Sequence, residues 1–464
     1  MHPTPIKVKQ YIKQALNDDQ MRAAVFKATK SAVEKRRELA DGMPYWEATR
    51  EAAHLIKQDV LNNLADYLEL FEKRCRANGM TVHWAETAEE GSRIIIELAR
   101  ERQVKKIVKS KSLTTEEINL NEVLIKSGIE TVETDLGEYI VQLEEKIPSH
   151  LIMPALHLSR QDVGRIFEEK LGMEYTDDPH ALLGVARKKL REHFLTADMG
   201  ITGVNFGIAE SGTVCIIENE ANARLCMSMP KIQVAVMGLE KLIPSIEDLP
   251  VFLKMLAPSA TGQLSSTFVH IVGGASREKY REGPDEVHIV LLDNGRSRIA
   301  QDPVLREALS CIRCGACLNT CPVYQQLGGH AYGWVYMGPI GSVLIPQYLG
   351  EDEGRYPPFM CSLCGACRNN CPVKINLPDH LLTMRNRVVE AGNSPPVEKA
   401  GIKGWAFLAK HPALYRFATW FPGKFQMLLP KNRSFPAPGY GRERALGRFD
   451  IMGFRKRFIK REQE

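Results

Sequence analysis

At 464 residues, 44% of them hydrophobic, the chain has room for two to three domains, each able to bury a sizeable core. A formal net charge of +5, with the basic excess mainly toward the C-terminal end, argues against a whole-molecule polyanion-binding role, and nucleic acid is not an expected partner. The start, Met1-His2-Pro3-Thr4-Pro5-Ile6-Lys7, lacks the apolar core and cleavage site of a signal peptide, and no window approaches about eighteen consecutive apolar residues. The expectation is a cytoplasmic protein with no transmembrane segment.

From Ile6 to about Phe71, apolar residues recur at three and four with charges between, as in Val60, Leu61, Leu64, Tyr67, Leu68 and Phe71. Only Gly42-Met43-Pro44 interrupts, which predicts a helical N-terminal arm over 1–70. Its charge runs, such as Glu34-Lys35-Arg36-Arg37-Glu38, read as a solvated helix face.

An α/β rhythm follows over 71–300. Thr81-Val82-His83-Trp84 reads as a strand, Ala88 to Arg102 as a helix and Lys106-Ile107-Val108 as a strand. Next come a helix from Thr115 to Ser127, with Thr114 and Glu117 as a capping box, and a strand from Gly128 to Glu133. Alternation of this kind predicts a mostly parallel sheet. Gly203 to Ala209 and Thr213 to Ile217, joined by Glu210-Ser211-Gly212 and followed by Ile232 to Met237, predict a mixed or hairpin-bearing edge.

Polar residues gather where these strands end, and ligands of open α/β sheets bind at the carboxyl ends of strands. The candidate ligand-binding residues are Lys109, Asp135, Glu138, His150, Asp198, Glu210, Glu220, Asn222 and Lys241, a set suited to an anionic metabolite. Asp, Asn, Gly and Ser also end helices and make turns, so pattern alone leaves both readings open. The sequence singles out no catalytic residue. No GxGxxG opens a helix after a strand, so nothing supports NAD or FAD binding through that fingerprint.

A strand from His288 to Leu292, a turn at Asp293-Asn294-Gly295 and a helix from Pro303 to Leu309 lead into the most informative stretch. It reads Cys311-x2-Cys314-x2-Cys317-x3-Cys321-Pro322, and the pattern returns as Cys361-x2-Cys364-x2-Cys367-x3-Cys371-Pro372. This is the bacterial ferredoxin signature written twice, in which the fourth Cys of each copy ligates the other cluster. The expected cofactors are two [4Fe-4S] clusters, one on Cys311, Cys314, Cys317 and Cys371, the other on Cys361, Cys364, Cys367 and Cys321. Zinc sites use pairs of CxxC, so the third thiolate and the complete second copy disfavour structural zinc or disulfides.

Gly315 and Gly365 sit between the second and third Cys of each copy, where a missing side chain lets backbone N–H groups approach cluster sulfurs. The remaining thiols, Cys75, Cys215 and Cys226, read as buried core. The linker from Val323 to Met360 is long for a compact ferredoxin and resembles that of the helical ferredoxin module of fumarate reductases, glycolate oxidases and anaerobic glycerol-phosphate dehydrogenases. Such a helical module is expected over 301–391. Clusters of this type pass single electrons, so the motifs read as a wire.

The tail, 392–464, opens on the breaker Gly392-Asn393-Ser394-Pro395-Pro396 and mixes Trp405, Phe407, Tyr415, Phe417, Trp420, Phe421 and Phe425 with Arg442, Arg444, Arg448 and Arg455-Lys456-Arg457-Phe458. It carries fifteen Lys and Arg against five acids, which fits a helix docking on the rest of the protein or on a partner subunit first, peripheral membrane contact second and nucleic acid third.

Glu133-Thr134-Asp135-Leu136-Gly137-Glu138, Gln142-Leu143, Pro148-Ser149-His150, Pro154-Ala155 and Gly200-Ile201-Thr202-Gly203 resemble the lactate-utilization (LUD) domain. With two ferredoxin motifs and a tail behind it, nearly the whole chain resembles the iron-sulfur, B-type lactate-utilization family. The resemblance implies a fold similar to the ribose-phosphate isomerase and CoA-transferase group for the α/β domain. It also implies a Cys-rich A-like partner, a C-like LUD partner and oxidation of L-lactate to pyruvate by the assembly.

Two other roles compete: an electron carrier for another hydroxy-acid or glycerol-phosphate dehydrogenase, and an enzyme with an acyl-transferase-like carboxylate at Glu218 or Glu220. One departure stands out. The family usually has Glu-Gly-Asn where this chain has Glu220-Ala221-Asn222, and Ala would strain the loop if the position needs positive φ.

Overall fold

The computed structural model describes residues 5–276, 283–393 and 396–425, with two short pairs at 435–436 and 445–446. It divides into two units, 1–391 and 392–464.

Four helices open the first unit: Pro5–Leu16, Asp19–Gly42, Trp46–Asn62 and Leu64–Ala77. Asp18 starts the second by accepting from the Met21 N–H, and the chain breaks at 43–45, beside Gly42-Met43-Pro44. Their apolar stripes are sunk into the protein, with Val25, Ala53, Val60 and Phe71 buried. Polar residues on the same helices tie down distant loops. Arg36 donates to the Asn370 side chain at 2.7 Å and Arg50 to the Cys371 carbonyl at 2.8 Å.

Ten strands follow among the described residues of this unit: β1 (Thr81–Ala85), β2 (Lys106–Lys109), β3 (Glu130–Glu133), β4 (Met199–Gly203), β5 (Phe206–Ile208), β6 (Thr213–Glu218), β7 (Ile232–Gly238), β8 (Leu242–Ile243), β9 (Phe268–Val272) and β10 (Glu286–Leu292). Six form a parallel sheet in the order β1-β10-β7-β4-β2-β3. Parallel neighbours need crossovers, and helices such as Ala88–Glu101 supply them. β7, in the middle, is buried along its whole length, as a strand covered on both faces must be.

The remaining four strands make a smaller sheet, β8-β5-β6-β9, built on the antiparallel β5–β6 hairpin. The single strand expected over 203–209 is therefore two, in different sheets. Asn205 sits at the crossing and accepts the Ile217 N–H at 2.9 Å, so its side chain replaces a ladder bond where the chain leaves one sheet for the other.

Three local expectations need correction. The helix expected over 115–127 is two, Leu113–Glu117 and Leu120–Lys126, parted by Asn119 in the left-handed region at φ +51°. The box of Thr114 and Glu117 is not made: Ser112 caps by accepting from the Thr115 N–H, and Glu117 is drawn into a buried ion pair. The helix expected over 303–309 is a 3-10 turn, Leu305–Ser310.

From 305 to 391 the described chain is helical and irregular. Helices Ala316–Asn319, Pro322–Leu327, Gly338–Leu349, Ala366–Asn370 and Leu377–Glu390 frame the two Cys motifs. The long linker is core: Tyr324, Tyr332, Tyr336, Met337 and the run 340–345 are buried.

The second unit contains helices Pro396–Lys410 and Pro412–Phe425, and Phe435–Pro436 paired with Ala445–Leu446. Arg442, Arg444, Arg448 and 455–458 lie outside the described residues. Among the described residues no helix is long and apolar enough to cross a membrane.

Candidate functional site

The carboxyl ends of β2, β4 and β7 open into a cavity of about 270 Å³. Ser110 to Thr114 continue from β2, Gly203 to Asn205 from β4, and Lys241 follows β7; Asp135, beyond β3, adds a further wall. Glu218, Glu220 and Asn222 come from the smaller sheet and the loop after it. The last wall is unexpected: Ile312 and Arg313, inside the first Cys motif, together with Tyr336.

Four of the nine candidate residues thus share this cavity: Asp135, Glu220, Asn222 and Lys241. Asp135 caps Leu136–Leu143 by accepting the Glu138 N–H, and Asn222 donates to Thr134. Partial burial, with Asp135 nearby, raises the Glu220 carboxyl, which accepts the Leu136 N–H at 3.1 Å. Burial, with Arg313 adjacent, lowers the Lys241 ammonium to about 8.

The other five are placed elsewhere. Lys109 is wholly buried in ion pairs with Glu133 (2.6 Å) and Glu116 (3.0 Å). Glu138 is buried nearby, where desolvation and the Glu116 and Glu133 carboxylates push its carboxyl well up. Asp198 precedes β4, at the opposite end of the sheet, and accepts the amides of Lys105 and Lys106. Glu210 lies in the β5–β6 turn. His150 is buried between the two halves of the first unit: its Nε2 meets Asn319 Oδ1 at 3.0 Å, and a β-carbon on Gly315 would come within 3.2 Å of its ring.

Beside the cavity lies a charged network that the sequence did not announce. Arg296, fully buried, donates to both Glu117 oxygens at 2.8 Å and to Glu240 at 2.6 Å. Tyr336 donates to Glu117 at 2.6 Å, and Arg313 lies 3.3 Å from Glu240 and over the Tyr336 ring. Burial opposes ionisation of Glu240, but Arg296, Lys241 and Arg313 overcome it and hold its carboxyl at about 2. Lys57, from the third helix, donates to the carbonyls of Glu240 and Leu242, and burial lowers it to about 7. Arg313 was missed because it lies within a motif read only for its Cys spacing.

The two Cys motifs fold alike. Arg313 and Leu363, the residues before the second Cys of each copy, are left-handed at φ +61° and +59°. Gly315 and Gly365 are left-handed at φ +76° and +80°, where glycine carries no penalty. These turns aim amides at sulfur: Arg313 N–H at Cys311 (3.4 Å), Leu363 N–H at Cys361 (3.2 Å) and Ile375 N–H at Cys371 (3.4 Å).

A second, small cavity is bordered by Cys311, Cys314, Cys317 and Cys371, three thiols from the first copy and the fourth from the second. In the reciprocal set, burial raises the Cys321 thiol to about 11 against the pull of the Tyr324 and Val323 amides, and the nearby charges of Cys361 and Cys364 add to the rise. Such a donor set suits an iron-sulfur cube. Leu151 and Ile312 line both this cavity and the one at the strand ends.

Comparison with known families bears on each part. The LUD domain model matches residues 68–292 and the 4Fe-4S dicluster domain model residues 307–375, which defines the class as a LUD-domain iron-sulfur protein. A third model, described as "Lactate utilisation protein B, C-terminal", matches 383–446. Proteins named lactate utilization protein B from Macrococcus caseolyticus (44% identical over 413 residues, 89% of this chain and 86% of the relative) and Oceanobacillus iheyensis (42% over 451 residues, 94% of each) are similar along most of the chain. So is one from Bacillus thuringiensis, at 44% over 414 residues, 89% of this chain and 87% of the relative. The chain belongs to the lactate utilization protein B family.

Proposed function

We propose that this chain is the electron-transfer subunit of a cytoplasmic complex that oxidises L-lactate to pyruvate. In this reading Cys311, Cys314, Cys317 and Cys371 hold one [4Fe-4S] cluster, and Cys361, Cys364, Cys367 and Cys321 hold the other. When bound, the clusters accept and release one electron each, which suits relay of the two electrons leaving a hydroxy acid. The chain's own residues supply four cysteines around one cavity, with amides aimed at the sulfurs of Cys311 and Cys371.

The observation that carries the reading is the shared wall. Leu151 and Ile312 separate the strand-end cavity from the first thiol set, so a substrate in the LUD cavity lies next to the first cluster. The C-like and A-like proteins are the proposed partners, and the tail from 392 their proposed docking element. An acyl-transfer role finds less support, because Glu218 is held by the Ala223 and Arg224 amides and His270, and Glu220 by Leu136.

The test is anaerobic. The reconstituted chain is mixed with L-lactate, D-lactate or glycolate, alone and then with the A-like and C-like proteins, while iron-sulfur absorbance is followed. Bleaching by L-lactate only with the partners present is expected. Clusters that dithionite reduces but no hydroxy acid reduces in either setting sink the lactate reading.

A further inference from the structure

The strand-end cavity is lined by a nearly buried cation that forms no ion pair with any described residue. Lys241 lines it, is only 9% exposed, and makes no hydrogen bond or ion pair with any described residue through its ammonium. The carboxylates around it are already engaged. Glu218 takes the amides of Ala223 and Arg224 at 2.8 and 2.9 Å and His270 at 2.9 Å. Glu220 takes the Leu136 amide, Asp135 the Glu138 amide, and Glu240 is held by Arg296 and Arg313. A desolvated ammonium in that position is costly until an anion joins it.

Arg313 stands in the same cavity wall with donors to spare. Its own contacts are long, 3.3 Å to Glu240 and 3.3 Å to the Cys311 carbonyl, and a guanidinium offers five N–H groups. The wall also limits the charge of the guest. Lys111, Lys241 and Arg313 face Asp135, Glu218 and Glu220, so cations and carboxylates balance in number. A phosphate dianion would overload that balance, whereas a singly charged acid adds one charge beside the unanswered ammonium. Ser112 and Asn205 line the cavity too and offer polar partners to a second oxygen on the guest.

We propose that the strand-end cavity is a binding site for a small monocarboxylic hydroxy or oxo acid, whose carboxylate is held by Lys241 and Arg313. The proposal rests on the electron-transfer reading and deepens it, because Arg313 lies between two thiols of the first motif and so brings the acid up to that cluster.

Calorimetric titration of the cluster-loaded, full-length chain with L-lactate, pyruvate and inorganic phosphate tests it. Saturable binding of lactate or pyruvate is expected, without competition by phosphate. In Lys241→Gln the affinity should fall about tenfold or more, as when one partner of a buried charge contact is removed. Lys241→Arg should restore part of it, with iron content and dithionite-reducible absorbance unchanged in both variants.

Failure of an intact, dithionite-reducible wild-type chain to bind either acid overturns the proposal, as does phosphate binding more tightly, or equal affinity in Lys241→Gln. The wild-type titrations decide the ligand class even if the variant loses its iron. None of these failures touches the electron-transfer reading, which falls instead if loaded clusters accept no electrons.

Discussion

Ala221 stands at φ +61° and ψ 9°, in the left-handed region, at the residue that starts the helix Asn222–Ser228. This is the strain expected of Ala at a position that takes a positive φ. A β-carbon there costs about 1–2 kcal/mol, and the looser unfolded chain of a Gly variant offsets about 0.4–1 kcal/mol of any gain. Ala221→Gly should therefore stabilise, by up to about 1.6 kcal/mol; a urea midpoint that falls rules the strain out.

Arg296→Met makes the opposite case. It leaves Glu117 and Glu240 buried without their shared cation, and breaking such a pair from one side costs about 3–5 kcal/mol, read as the shift in unfolding free energy.

His157 is one of the buried histidines that contribute a pH dependence. Its ring is buried against Ser149, Glu144 and the His330 ring, and desolvation, with His330 adding to it, lowers the imidazole from 6.5 to about 4. Between those values the unfolded chain binds a proton that the folded chain refuses. The contribution is therefore intact above about pH 6.5 and lost as pH falls toward 4, by at most about 1.4 kcal/mol per pH unit. His157→Gln should flatten that slope relative to wild type between pH 5 and 6.5. Parallel curves refute the assignment.

At the scale of elements, the sheet was legible because strands and helices alternate in period, and β1, β2, β3, β7 and β10 fall close to where apolar runs placed them. What pattern missed was decided by single side chains with distant partners. Asn205 splits a continuous apolar run between two sheets, and Arg296, far along the chain, takes Glu117 away from a helix cap. The cavity was half legible for the same reason. Asp135, Glu220, Asn222 and Lys241 stand at strand ends that converge, but nothing local distinguishes Lys241, left unpaired, from Lys109, neutralised by Glu116 and Glu133.

Cys spacing was the strongest signal, and it carries a prediction about which element serves which cluster. Cys371 borders the cavity of the first motif, so Cys371→Ser should disturb the paramagnetic signal of that cluster more than that of the other. A variant in which only the second motif's cluster changes refutes the exchange of fourth ligands.

For the first unit as a whole, the two motifs are alike in backbone and unlike in setting. Cys311 and Cys361 are both half-buried and Cys317 and Cys367 both buried, but Cys314 is buried, with the LUD cavity on one side and the helix Asp19–Gly42 near the other, whereas its counterpart Cys364 is exposed. Burial keeps water and oxidants from cluster sulfurs, and exposure lets a redox partner approach. On the proposed reading, the first site is the inner one, beside the strand-end cavity, and the second the outer one at the surface, which would give electrons a direction of travel. Iron release should report the difference. Under EDTA with ferricyanide, roughly half of the iron should leave in a fast phase, the share of one of two equal clusters. The signal that survives the fast phase should be the one Cys371→Ser disturbs. Release in a single phase, or early loss of the inner signal, would show that the exposed thiol does not mark the way out.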